Sequence, residues 1–126
     1  METPQELEVW YVIPAIRKEL AIAMKNNGLK QVEIAKRLGV TESAITQYIK
    51  NKRAGQINFN EKVKNQIKES VNLINNKIDT MREMQKILVL ARSENTICEL
   101  HRKLDKDFAE CNVCFKHLIQ VGKEHA

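Results

Sequence analysis

Residues 31–50 read QVEIAKRLGVTESAITQYIK, from Gln31 to Lys50, and this stretch decides the fold. Counting Gln31 as the first position, Ala35 falls fifth and Gly39 ninth. Ile34, Leu38, Val40, Ile45 and Ile49 supply the apolar positions. Gly39 follows a helical pattern and can adopt the left-handed conformation that turns a chain sharply. Thr41 is a good N-cap for the helix that follows. Ala35 is small enough for a second helix to cross closely above it, and Val40 and Ile45 would pin the two helices together. The spacing therefore predicts two short helices, about Gln31–Leu38 and Glu42–Ile49, joined by a tight turn. This is a helix-turn-helix pattern, with polar Glu42, Ser43, Thr46 and Gln47 left facing outward.

Charge agrees with that pattern. The chain of 126 residues carries a formal net charge of +5. Between Gly28 and Gly55 the basic residues Lys30, Lys36, Arg37, Lys50, Lys52 and Arg53 face only two acids, Glu33 and Glu42. A basic excess on a helix-turn-helix suits a polyanionic partner, double-stranded DNA. In such proteins the second helix enters the major groove with its N-terminal residues first. Ser43, Thr46 and Gln47 would then reach base edges, and Glu42 could accept from cytosine or cap its own helix. Lys30, Gln31, Lys50, Lys52 and Arg53 would hold phosphates, Gln31 from the free N–H end of its helix. A helical hairpin used only for packing would not need short, hydrogen-bonding side chains at the exposed positions.

Lys30 to Arg53 resembles the lambda-repressor-like class, also called the XRE or Cro/C1 type. Gln31 matches the first-position Gln of that class, which the resemblance implies clamps phosphate and supports the recognition helix. Ser43 matches a base-contacting position, whereas Glu42 stands where that class often has Gln. The run Val12-Ile13-Pro14-Ala15-Ile16-Arg17, together with LGVTESAITQYIKNKRAG, is similar to a group of small archaeal transcriptional regulators. A related module is the regulatory part fused to archaeal thiamine-phosphate synthase. This closer likeness covers about the first 55 residues, and it also implies a cysteine-bearing C-terminal segment.

Outward from the motif, Thr3-Pro4-Gln5-Glu6 reads as a helix start with a capping box and Pro at the first helical position. Pro14 either starts a new helix or kinks the first. Asn51 to Asn60 is a polar connector. From Glu61 the apolar residues Val63, Ile67, Val71, Ile74, Ile78, Met81, Met84, Leu88 and Ala91 recur every three or four positions. This predicts one long amphipathic helix, about thirty residues and roughly 45 Å, with heptad-like spacing. A second subunit is the expected cover for that stripe, so the expectation is a homodimer. The alternative is that the C-terminal helix folds back over it.

Residues 93–126 hold all three cysteines and all three histidines. Cys98-x2-His101 and Cys111-x2-Cys114, with His117 three residues later, have metal-site spacing. Zinc, an iron–sulfur cluster, and no metal at all stand side by side as readings. The last includes plain thiols and a Cys111–Cys114 disulfide.

The expected fold is all-α. Residues 1–56 form a helix-turn-helix DNA-binding domain, and residues 57–126 form the dimerisation helix and a C-terminal helical segment with Cys and His. No window is a membrane span, and acidic Glu2, Glu6 and Glu8 argue against a signal peptide, so the expected place is the cytoplasm. The sequence marks out no catalytic triad, carboxylate pair or cofactor loop, and a thiol-redox enzyme on Cys111 and Cys114 lacks its βαβ context. The expectation is a sequence-specific, dimeric, DNA-binding transcriptional regulator rather than an enzyme, with the C-terminal cysteines as the place where metal or redox state would control it. The competing reading is a bridging transcription cofactor whose XRE-type domain does not read DNA sequence.

Overall fold

The computed structural model describes residues 3–104 and, among these, every regular element is helical. Helix α1 spans Pro4–Leu7, and Thr3 and Glu6 close the capping box, each accepting a backbone N–H of the other. A π-helical turn, Glu8–Val12, carries the chain into α2, Ile13–Asn26. The wider turn resolves the question posed by Pro14. The N–H of Ile13 donates to the carbonyl of Glu8, five residues back, so the helix passes through the proline without an α-type bond at that point.

Gln31–Leu38 (α3) and Glu42–Lys50 (α4) follow, within one residue of the expected bounds. Beyond α4, Arg53–Gln56 forms a 3-10 turn, and Asn51 Oδ1 accepts from the N–H of Ala54 at 3.1 Å. Ala54 and Phe59 are buried, so the polar connector carries two core residues.

The single long helix is a correction. The chain from Glu61 forms two helices, α5 (Glu61–Leu73) and α6 (Lys77–Ser93), that pack on each other as a hairpin. The apolar spacing runs unbroken through the joint, but Asn75 and Asn76 offer the backbone a better local arrangement. Asn76 caps α6, its side chain accepting from the N–H of Asp79 at 2.9 Å. Asp79 in turn accepts from the N–H of Asn75 at 3.1 Å. Arginines bond the last carbonyls at the end of α5: Arg82 that of Leu73 and Arg37 that of Ile74.

The hairpin covers most of its own stripe. Val63, Ile67, Val71 and Ile74 are buried, as are Leu88 and Ala91, whereas Ile78 and Met81 are exposed. A final helix, α7 (Thr96–Leu104), packs on α1 and α6. Arg92 of α6 forks onto the Glu8 carboxylate with both Nε and Nη2, tying the N-terminal segment to the hairpin. The buried apolar side chains form one cluster from Leu7 to Leu100, so the helices on either side of residue 56 share a core.

Candidate nucleic-acid interface

The site is built from α3, α4 and the turn between them. Gly39 has φ 70° and ψ 34°, the left-handed conformation its place in the sequence predicts. Thr41 caps α4, its hydroxyl accepting from the N–H of Ala44 at 3.1 Å. Ile34, Ala35, Leu38 and Ile45 are buried where the two helices meet.

On α4, Glu42, Ser43, Thr46, Gln47 and Lys50 are all exposed. At about 100° per residue they occupy one arc of roughly 140°. Ile45 lies outside that arc and faces the core. Tyr48, also outside it, stacks beneath the Arg17 guanidinium of α2, 5.5 Å from the ring centroid.

Gln31 fastens the two helices together. Its Nε2 donates to the Glu42 carbonyl and to Thr46 Oγ1, each at 2.9 Å. Thr46 Oγ1 also lies 3.4 Å from the Glu42 carbonyl, to which it donates. Lys30 sits at the N-cap of α3 without capping it through its side chain, so the first N–H groups of α3 have no side-chain acceptor there. Lys30, Lys36, Lys50 and Lys52 are exposed and make no ion pair among the described residues. Arg37 differs from these, since its Nε pairs with Glu33 at 3.0 Å. The Arg53 side chain lies outside the described part of the structure.

The hairpin of α5 and α6 grips the turn from behind, which the sequence did not announce. Thr80 Oγ1 donates to the Arg37 carbonyl at 2.8 Å, and Arg37 Nη1 donates to the Ile74 carbonyl at 3.3 Å. The Lys77 stem lies over Gly39, where a Cβ would meet its Cγ at 2.6 Å. These partners are 37 and 43 residues apart in the two bonded pairs, beyond the reach of any local signal.

Cys98 and His101 lie one turn apart on α7 and both are buried. Cys111, Cys114 and His117 lie outside the described residues. Among the described residues no group of three or more His, Cys, Asp or Glu side chains converges as a metal site. No described helix is long and apolar enough to cross a membrane.

Searches of the curated proteins and of the solved structures give no match for this chain. Residues 20–55, the segment from the middle of α2 through the 3-10 turn, match the profile of a family described as Helix-turn-helix, which supports the lambda-repressor-like resemblance.

Proposed function

We propose that the protein is a sequence-specific, DNA-binding transcriptional regulator that works in the cytoplasm as a homodimer. The observation that carries this reading is the polar arc of α4, held outward by a helix-turn-helix whose family profile is matched over residues 20–55. Glu42, Ser43, Thr46 and Gln47 would face base edges, with Gln47 able to bond adenine through both amide atoms. Lys30, Lys50, Lys52 and Arg53 would hold phosphates, along with the main-chain N–H groups that open α3 at Gln31.

Support for a second copy has moved from the whole stripe to one face of α6. Ile78, Met81 and Val89 are 76%, 62% and 60% exposed. They fall within an arc of about 80°, with exposed Gln85 among them, and this short apolar row would be the surface that pairs with its own copy. Sedimentation velocity checks the pairing, and a single-copy mass across the working concentration range removes it from the reading. Control by metal or redox state through Cys98, His101, Cys111 and Cys114 rests on sequence spacing and on the shared face of Cys98 and His101. Metal analysis with an anaerobic UV–visible spectrum of fresh protein tests it, and metal-free protein whose DNA binding ignores oxidant would rule it out.

The function is tested by two substitutions on selected operator fragments and on random DNA. Gln47→Ala is expected to cost about 1–3 kcal/mol on the preferred sequence and little on random DNA. Lys52→Ala is expected to weaken both about equally and to lower the salt slope by about one. Absence of any preferred fragment for the unaltered protein would favour the bridging reading.

A further inference from the structure

A cleft of about 310 Å³ opens between α2, the turn of the helix-turn-helix and α6. It is separate from the face of α4 assigned to DNA. The α4 residue that lines it is Tyr48, which lies about 200° around the helix from Thr46. Its walls are mainly apolar, with Ile13 from α2, Leu38 from α3, Val40 from the turn, and Met84 and Leu88 from α6. The uncharged polar Thr80 and Gln85 stand beside them. Met81 stands on its edge, and methionines adapt readily to the shape of a bound molecule.

Two cations line the same cleft, Arg17 and Lys77, and no carboxylate does. Neither cation makes an ion pair among the described residues. Arg17 is stacked on Tyr48, and the Lys77 stem is laid over Gly39. An apolar molecule alone would leave these charges unused, and a bare ion would leave the walls wet. The combination suits a ligand with both parts, of a size at the small end for such sites.

We propose that this cleft binds a small amphiphilic anion, an apolar body bearing one carboxylate or phosphate group, with Arg17 and Lys77 on the anionic head. Such a ligand would touch α2, the Gly39 turn, Tyr48 of the recognition helix and α6 together. It is therefore placed to set how firmly the helix-turn-helix sits on the hairpin.

The test uses the full chain without DNA, with carbon-13 methyl-labelled methionine. Octanoate and octyl phosphate are titrated beside octanol. Saturable shifts of the Met81 and Met84 methyl signals are expected with one or both anions, with octanol at least about tenfold weaker. A response to octanoate alone assigns a carboxylate ligand, and to octyl phosphate alone a phosphate. Arg17→Gln and Lys77→Gln are each expected to weaken anion binding about tenfold and leave octanol unchanged. No shift with either anion in the unaltered protein overturns the proposal, as does octanol binding as tightly as the anions. Met81 also lies on the face proposed for pairing, so the titration is run at one protein concentration; a Met84 signal that follows protein concentration instead of added anion would assign the cleft to a second copy and also overturn it. Because DNA is absent from the titration, a protein that fails to select any operator can still pass this test, so the two readings fail separately.

Discussion

At the scale of single residues, Gln31 has little left to offer a ligand. Both hydrogens of its amide are committed, one to the Glu42 carbonyl and one to Thr46. The orientation of the amide follows from chemistry, because a carbonyl can only accept and so Nε2 must face Glu42. What remains is Oε1, an acceptor, which does not bind phosphate. A phosphate contact by this residue, as proposed, would therefore fall to its main-chain N–H. Thr46 is similarly spent. Its hydroxyl donates to the Glu42 carbonyl at 3.4 Å and accepts from Gln31, so toward a base it would offer an acceptor rather than a donor. An amino group on a base would suit it better than a guanine O6. Gln31→Glu would set a carboxylate against the Glu42 carbonyl and lose both donated bonds, keeping at most an acceptor for the Thr46 hydroxyl. The expected cost is about 1–2 kcal/mol in denaturant unfolding, with operator affinity falling as α4 loosens. An unchanged midpoint would show that the two bonds hold nothing.

Single elements show what was readable from the sequence and what was not. The α3–turn–α4 unit was legible because each determinant is local: Gly39 beside its helix, Thr41 three residues from the N–H it caps, Ile34 and Ile45 at fixed offsets. The hairpin was not, because Ile74 and Ile78 keep the four-residue step straight through the joint, and only Asn75 and Asn76 dissent. The hairpin also buries a carboxylate that a heptad reading would set on a wet flank. Glu83 of α6 is fully buried and accepts from Ser70 of α5 at 2.9 Å, and Arg82 and Lys86 bond it at 2.9 and 3.0 Å. Burial pushes its carboxyl upward, but the bonds from Arg82, Lys86 and Ser70 outweigh it and hold the group below the ordinary glutamate range. A depressed native value stabilises the fold at neutral pH, and that contribution is lost as pH falls through about 4.3 toward the native value. Glu83→Gln is therefore expected to lower the thermal midpoint at about pH 7, with the gap from the unaltered protein closing toward about pH 3. A gap that stays constant with pH would assign the loss to packing instead.

For the whole molecule, the decisive contact joins the turn at Gly39 to the start of α6. Gly39→Ala meets two obstacles there. The left-handed backbone costs about 1–2 kcal/mol for any L side chain. The new Cβ also falls 2.6 Å from Lys77 Cγ, too close for the Lys77 stem to stay in place. The single substitution is expected to cost more than about 2 kcal/mol, and adding Lys77→Ala to recover part of the excess, since Cβ of residue 77 still stands 3.0 Å away, and none of the backbone strain. A double-mutant cycle in denaturant checks this, and zero coupling would mean that the Lys77 stem does not bear on the turn.

The same contact bears on how such a chain can be recombined. A reading helix is often imagined as a cassette, cut out with its twenty-residue motif and pasted into another scaffold. Here the cut would sever Arg37 from Ile74 and Thr80, and lift Lys77 off Gly39. A transplant of Gln31 to Lys50 would have to bring the start of α6 with it, or supply a substitute for Lys77 and Thr80 in the new host. Because α2 also packs on α4, the portable unit of this protein joins segments that lie far apart in the chain.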